Sequence, residues 1–211
     1  MTSEARRPRP SEYAKTAGVR ERILDAVLES CATDGFTNTT LKSVATRLGM
    51  SEAGILHHFG SKQLMLAAAV SRRDDRAQAL VPPVSEGGVA VLRGLRQLMD
   101  ENAKEPGVIE MFVALSAQST EPASAMRSAF EEHYARLMDL LERAFTDLVA
   151  HGEMPGPTDP TVAARSLIAV MDGLQIQWLV SGRTFALGEA FAGHLRSWSL
   201  NLDDLHGEYR P

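Results

Sequence analysis

The chain has 211 residues, 44% of them hydrophobic and 23% charged, so it is long and apolar enough to bury a sizeable core. Charges interrupt every hydrophobic stretch, which excludes the run of roughly 18 apolar residues that a membrane-spanning helix needs. The single cysteine, Cys31, excludes an intrachain disulfide and a zinc site built from several cysteines. With no signal-peptide core at the polar N-terminus, we expect a soluble, cytoplasmic protein.

The formal net charge of −5 is unevenly distributed along the chain. Residues 1–62 hold nine Lys or Arg against seven Asp or Glu, whereas residues 63–211 hold thirteen against twenty. Residues 1–17 are predicted to be a flexible basic arm that Pro8 and Pro10 keep extended. Two interpretations stay open, a solvated tail or an arm that contacts the minor groove or phosphates of DNA. The basic residues of the first twenty are Arg6, Arg7, Arg9, Lys15 and Arg20.

Helical periodicity dominates the chain, and neither an alternating strand pattern nor an internal repeat is found, which predicts an all-α fold. Ile23, Ala26 and Val27 begin the apolar face of a first helix that ends at Asp34-Gly35. Phe36 then turns back towards the core.

The next two helices are short and closely spaced. Thr39 and Thr40 are placed to cap a second helix, which Gly49 ends after about two turns, and Ser51 is placed to cap a third helix through about Phe59. The break between them is only Gly49-Met50, as in a helix-turn-helix. The apolar positions of the second helix are Leu41, Val44, Ala45 and Leu48.

A fourth helix is predicted from Lys62 to about Ala79, and Pro82-Pro83 marks a domain boundary after it. Residues 18–64 are therefore expected to form a three-helix domain with a connecting helix to about residue 80. Residues 81–211 are expected to form a second, C-terminal helical domain.

The C-terminal domain shows further helical stripes, for a total of about nine helices. A fifth helix contains Val91 and Leu95, and Pro106-Gly107 separates it from a sixth at about 108–117. Pro122 is predicted to open the seventh helix, whose apolar positions step by three or four along one face. Those positions are Met126, Phe130, Tyr134, Leu137, Leu141, Phe145 and Leu148.

The last two helices carry the most apolar surface. Asp159-Pro160 is placed to cap the first of them, in which residues 162–180 show apolar residues on more than one face, so two packing partners are expected. This helix is expected to pair with the last helix, and two such pairs, one from each chain, predict a four-helix dimer interface. The apolar positions of the last helix are Leu187, Phe191, Leu195, Trp198 and Leu202.

The stretch TLKSVATRLGMSEAGILHHFGSK, residues 40–62, resembles the DNA-binding region of the TetR family of transcriptional regulators. The resemblance includes Ile23-Leu24-Asp25-Ala26 and Gly35-Phe36 and covers about 55 residues; Asp172-Gly173-Leu174 is similar to the dimerising region of many members. It implies a homodimer, formed through the last two helices, that binds a palindromic operator in double-stranded DNA. Release by a small molecule bound in the C-terminal domain, and repression as the commoner mode, are further implications.

A recognition helix with short side chains at its first turn lets base edges approach, while hydroxyls, cations and free N–H groups near helix N-termini hold phosphates. Glu52 either accepts from a cytosine amino group or only favours the helix dipole; both interpretations stay open. The expected DNA-binding residues are Thr40, Lys42, Ser51, Glu52, Ala53, Gly54, His57 and Lys62.

Adjacent helical residues point about 100° apart, so we expect His57 to contact DNA and His58 to pack beside Phe59. Two positions depart from the family pattern. Leu56 replaces the usual tyrosine, which puts one phosphate hydrogen bond in doubt, and Cys31 replaces a core phenylalanine. Cys31 is expected to be a small buried side chain, with a redox-sensing thiol as the alternative.

The resemblance also implies a ligand pocket between the C-terminal helices. Polar residues that interrupt apolar surfaces are the candidates, although each is alternatively a plain core or solvent-facing residue, and Phe112 is expected as a wall. No cofactor or metal ion is expected, because adjacent histidines without a third ligand do not form a metal site. The candidate ligand-binding residues are Met111, Gln118, His133, Met171, Asp172, Gln175 and Trp178.

Two other classes of function compete with DNA-binding regulation. A small all-α enzyme needs a nucleophile, a base and an orienting acid together, and no motif supplies such a set. A scaffold that keeps the helix-turn-helix fold but has lost DNA binding is favoured only by Leu56 and by the modest positive charge of residues 1–62. The operator, the effector, the regulated genes and the choice between repression and activation are not encoded in any recognisable motif.

Overall fold

The computed structural model describes residues 10–154 and 157–200. That part of the chain contains nine α-helices, two short 3-10 helices and no strand. None of its helices is both long and apolar enough to cross a membrane. The α-helices are α1 Pro10–Asp34, α2 Leu41–Leu48, α3 Glu52–Phe59, α4 Lys62–Gln78, α5 Gly88–Asn102, α6 Pro106–Ser119, α7 Arg127–Ala150, α8 Pro160–Val180 and α9 Leu187–Ser197.

The ends of α2, α3 and α4 are fixed by the capping residues that the sequence predicts. Thr40 Oγ1 accepts from the Ser43 backbone N–H at 3.0 Å, and Ser43 Oγ accepts in return from the Thr40 N–H at 2.8 Å. Ser51 accepts from Gly54 N–H at 3.1 Å, and Gly49 ends α2 in the left-handed conformation at φ 64°. These local bonds define the tight turn between α2 and α3.

Helix α1 begins earlier than the sequence pattern indicates. Residues 10–17, expected in an extended arm, form its first turns, and Pro10 occupies the first helical position. Proline is tolerated there because the N–H that it lacks has no intrahelical partner anyway. The remainder of the predicted arm, residues 1–9, lies outside the described residues.

The predicted apolar stripe of α7 is confirmed, since Phe130, Leu141, Phe145 and Leu148 are all buried. The helix itself starts at Arg127, after a turn over residues 121–126, and not at Pro122. A proline is compatible with a turn as well as with a first helical turn, so its position alone did not fix the start. At the other end of the chain, Leu202 lies outside the described residues.

Helix α8 is also capped as predicted: Asp159 Oδ1 accepts from the backbone N–H groups of Thr161 at 2.9 Å and Val162 at 3.3 Å. Helix α8 packs against α6, α7 and α9, and it buries Leu167 and Met171. Another side of α8 keeps apolar side chains exposed in the single chain, among them Val180.

The side chains form two apolar clusters that do not divide at Pro82-Pro83. The first joins α1 to α4 with part of α6 and the start of α7, and the second joins α5, α7, α8 and α9. Gly107 on α6 lies against α1, where an added Cβ atom would lie 1.9 Å from the Cys31 carbonyl oxygen. Helix α6 is therefore packed directly on the backbone of α1, and the domain division at residue 81 stays a prediction.

Candidate functional site

Helix α3 presents one side to the solvent and buries the other. Ile55 and Phe59 are buried in the core of the first four helices, whereas Glu52, Ala53 and His57 are exposed. The side chains of the exposed first turn are short, apart from Glu52. Such a surface can enter the major groove of B-DNA without a clash between bulky side chains and base edges.

The remaining DNA-binding candidates lie at or near the N-termini of three consecutive helices. Thr40, Lys42 and Ser51 are exposed at or beside the N-termini of α2 and α3, and Lys62 is exposed at the first position of α4. Gly54 is half-buried, and its N–H donates to Ser51 Oγ. Exposed cations, hydroxyls and backbone N–H groups of this kind are suited to phosphate contacts.

The two histidines have different environments. His57 is exposed, whereas His58 is half-buried, and their rings meet edge to face with centroids 5.7 Å apart. Arg20 donates a hydrogen bond to the His58 carbonyl oxygen and stacks over the Phe59 ring at 4.2 Å. Helix α1 therefore holds the C-terminal end of α3 in place.

A second candidate site is a cavity of about 510 Å³ surrounded by α4, α5, α7 and α8. Four of the predicted ligand-binding residues, His133, Met171, Asp172 and Gln175, line it, as does the predicted wall residue Phe112. Most of the wall is apolar, as is usual for small-molecule sites. Its apolar side chains include Val81, Val84, Leu95, Leu98, Met99, Leu137 and Leu140.

Three predicted ligand-binding residues lie away from this cavity. Met111 is fully buried in the first cluster, with its sulfur 3.8 Å from Cys31 Sγ, and Gln118 is exposed on α6. Trp178 is buried, and its indole N–H donates to the Phe185 carbonyl oxygen at 3.0 Å. Their part in ligand binding stays a prediction.

Charged groups cluster on one side of the cavity around Asp74 of α4. Its Oδ2 lies 2.8 Å from His133 Nδ1 and 2.9 Å from Arg136 Nη2, and its Oδ1 lies 3.7 Å from Arg73 Nη1. Burial alone would raise the pKa of the Asp74 carboxyl, but the hydrogen bond and charge of His133, with the charge of Arg73, hold that pKa below its usual value. Asp74 therefore carries its negative charge inside the protein.

The pKa of a second carboxyl group at the cavity, that of Asp172, is shifted in the opposite direction. Asp172 Oδ2 accepts from the Tyr134 hydroxyl at 2.8 Å. Burial raises the pKa of the Asp172 carboxyl despite this hydrogen bond, and burial together with the nearby Asp172 raises the pKa of Tyr134. Asp172 is thus shifted towards its neutral form while Asp74 stays ionised.

Arg73 is the most important residue that the sequence patterns did not indicate. Its side chain lines the cavity, is only 8% exposed, and lies with its guanidinium carbon 4.4 Å from the centre of the Phe112 ring. The signal was present in α4, since Arg73 continues the buried stripe of Leu66 and Val70 at helical spacing. A charged residue within an apolar stripe indicates a buried polar site. Because α4 is predicted from the sequence only as a connecting helix, this site was not predicted.

Comparisons with known proteins match both parts of the chain. The family model for bacterial regulatory proteins of the tetR family matches residues 23–69, and the model for the C-terminal region of BetI-type transcriptional repressors matches residues 90–196. The second match alone covers half of the chain. It includes most of the cavity wall, and the first includes α2, the turn and α3.

Individual proteins named as transcriptional regulators also match most of the chain. The regulator AlkX of Mycobacterium tuberculosis is 26% identical over 178 residues, covering 74% of this chain and 84% of the relative. The repressor AcnR of Corynebacterium glutamicum is 28% identical over 178 residues, covering 83% of this chain and 89% of the relative. The structure of a Saccharomonospora viridis transcriptional regulator in complex with choline has a TM-score of 0.67 at 24% identity, covering 86% of this chain and 95% of that one.

The exposed α3 on a small helical core, joined to a helical domain with an internal cavity, defines a DNA-binding transcriptional regulator of the helix-turn-helix class. The chain belongs to the TetR family. The sequence-based predictions of fold class and family are thereby confirmed.

Proposed function

We propose that the chain is a ligand-released repressor that binds a palindromic operator as a homodimer. The observation that carries this proposal is the solvent-exposed N-terminal half of α3, with His57 and Lys62 exposed on the same domain. Two copies of α3, held about 34–36 Å apart, enter successive major grooves of one duplex. The names of AcnR and of the BetI-type family model support repression as the mode of regulation.

The test is selection of random duplex DNA by the purified chain, followed by sequencing of the retained fraction. Enrichment of a palindromic motif is expected, because a two-fold symmetric dimer reads the same half-site twice. No enrichment by the ligand-free chain would contradict the proposal and favour the scaffold function.

The proposed dimer interface is the exposed side of α8 together with α9. Among the described residues, three of the five large exposed hydrophobic side chains lie on α8: Val162 is 61% exposed, Ile176 46% and Val180 83%. Ser166, Ala169 and Gly173 lie between them at helical spacing, and such small residues let two helices approach closely. Burial of this stripe against a second copy would remove apolar surface from water.

Replacing Ile176 and Val180 together by Asp is expected to convert the dimer into a monomer, because four carboxylates would be buried in the paired interface. Sedimentation equilibrium measures the change. Val149→Asp is the matched control, since Val149 is 39% exposed on α7, and it should leave the dimer intact. A stable dimer in the α8 double variant would place the interface elsewhere.

The proposed route from ligand to DNA runs along α4. This helix starts immediately after α3, and its last turns line the cavity through Arg73, Asp74 and Ala77. Asp25 of α1 fastens the helix to the DNA-binding unit, accepting from Arg72 Nε at 2.8 Å and from Arg76 Nη2 at 2.9 Å. A ligand that shifts α4 would therefore move the attached α3 and change the distance between the two α3 helices of the dimer.

The complex of the Saccharomonospora viridis protein with choline supports a small organic molecule as the effector. The cavity is of the size that such sites commonly have. A saturating effector is expected to lower operator affinity. An effector that left both the operator affinity and the distance between the two α3 helices unchanged would contradict the proposed mechanism.

A further inference from the structure

Two buried polar side chains in the cavity wall lack hydrogen-bond partners that a ligand could supply. Arg73 is 8% exposed, and its Nε finds no acceptor among the described residues. Gln175 is 4% exposed; its amide nitrogen donates to the Met171 carbonyl oxygen at 3.3 Å, but its Oε1 finds no donor among the described residues. A buried donor or acceptor without a partner costs stability, so both atoms are set for groups that are not part of this chain.

The cavity offers little to a positively charged ligand. A quaternary ammonium group is bound by aromatic faces and unpaired carboxylates. The face of Phe112 is already covered by the Arg73 guanidinium, at 4.4 Å, and Asp74 already has three positive or donating partners. The protein's own arginine thus takes the place that a ligand cation would need.

The same groups favour a negatively charged ligand. Arg73 and Arg136 bring two fixed positive charges to the single carboxylate of Asp74. Of the other two carboxyl groups that line the cavity, Asp139 is paired with Arg143 at 2.6 Å, and Asp172 accepts from Tyr134. Burial raises the pKa of Asp172, which weakens its opposition to an anion. Arginine is moreover the side chain best suited to carboxylate recognition, because its planar fork of donors matches a carboxylate.

We infer that the cavity binds an amphipathic organic carboxylate, with its head group on Arg73 and its apolar body against the side chains of α5 and α7. Leu95, Leu98, Met99, Leu137 and Leu140 supply that apolar surface. Gln175 Oε1 accepts from a hydroxyl or amide group where the ligand carries one. This inference rests on the proposed function, because it takes the cavity as the effector site and names the chemical class of the effector.

The test uses three probes that share a ten-carbon chain and differ only in the head group: decanoate, 1-decanol and decyltrimethylammonium, all below micelle-forming concentrations. Calorimetric titration of the wild-type chain is expected to show binding of decanoate about tenfold or more tighter than of either other probe. This comparison uses the unmodified chain, so it does not depend on the folding of a variant.

The variant Arg73→Met removes the charge but keeps the length of the side chain. It is expected to lose the preference for decanoate and to gain affinity for decyltrimethylammonium, because the Phe112 face becomes available and Asp74 loses one of its three partners. Arg22→Met is the matched control, since Arg22 is exposed on α1 and does not line the cavity. The control should bind decanoate as the wild type does, and circular dichroism confirms that both variants are folded.

Preferential binding of the cationic probe by the wild-type chain would overturn the inference, and so would binding of none of the three probes. Unchanged decanoate affinity in folded Arg73→Met would also overturn it. Operator affinity is measured separately with and without decanoate. Decanoate binding without operator release would contradict the release mechanism but support the carboxylate as the ligand class. Release by the cationic probe alone would support the release mechanism but contradict the carboxylate as the ligand class.

Discussion

Replacing His57 and Lys62 together by alanine is expected to weaken operator binding by at least about a hundredfold. Both side chains are exposed, His57 on α3 and Lys62 at the first position of α4. A hydrogen bond to a charged partner contributes about 1.5–3 kcal/mol, and in a dimer each lost contact is lost twice. Fluorescence anisotropy on the selected operator measures the change in affinity.

The same double substitution should leave stability unchanged, because the described structure gives neither side chain a hydrogen bond or an ion pair that folding needs. His151→Ala with Lys104→Ala is the matched control. It changes the same two residue types at exposed positions just after the ends of α7 and α5. Equal operator affinity in the two double variants would show that the exposed side of α3 does not read DNA.

Gly107→Ala is expected to destabilise the chain by about 2 kcal/mol or more, which lowers Tm by about 4–8 °C for a domain of this size. Helix propensity alone predicts the opposite sign, since alanine favours a helix by up to about 1 kcal/mol over glycine. The steric clash of the new Cβ atom with the α1 backbone outweighs this preference, so the net change in stability is a loss. The new Cβ would lie 1.9 Å from the Cys31 carbonyl oxygen and 2.8 Å from its carbon, and both belong to backbone that cannot rotate away.

Gly18→Ala is the control for this experiment, because Gly18 lies within α1 and an added Cβ would meet nothing within 4 Å. Its Tm is expected to rise slightly or stay unchanged. Thermal unfolding monitored by circular dichroism compares the two variants. Gly107→Ala with a Tm at or above that of wild type would show that α1 and α6 are free to move apart.

The predictions that the structure confirms rest on local signals. Thr40, Ser51 and Asp159 cap helices because a hydroxyl or carboxylate beside the first turn satisfies free N–H groups regardless of the rest of the fold. The stripe of α7 repeats over many turns, so it fixes which face is buried. Both kinds of signal are complete within one element.

The predictions that needed correction depend on neighbours distant in sequence. Proline at position 10 or 122 is compatible with either a turn or a helix start, and only the surrounding chain decides between them. Trp178 and Met111 have the residue types of a ligand pocket, but they are buried outside the cavity, and which side of a helix faces a cavity depends on how the helices pack. The stripe along α4 marks Arg73 as buried, but only the contact of α4 with α7 places it at the cavity.

The proposed repressor depends on two copies of α3 that a dimer holds at a fixed separation. The most direct test inserts about five base pairs, half a helical turn, between the half-sites of the selected operator. Loss of most of the affinity is predicted, because the second half-site then faces the opposite side of the duplex. Undiminished affinity for this insertion would contradict binding as a rigid dimer, since it would mean that each copy of α3 binds its half-site independently.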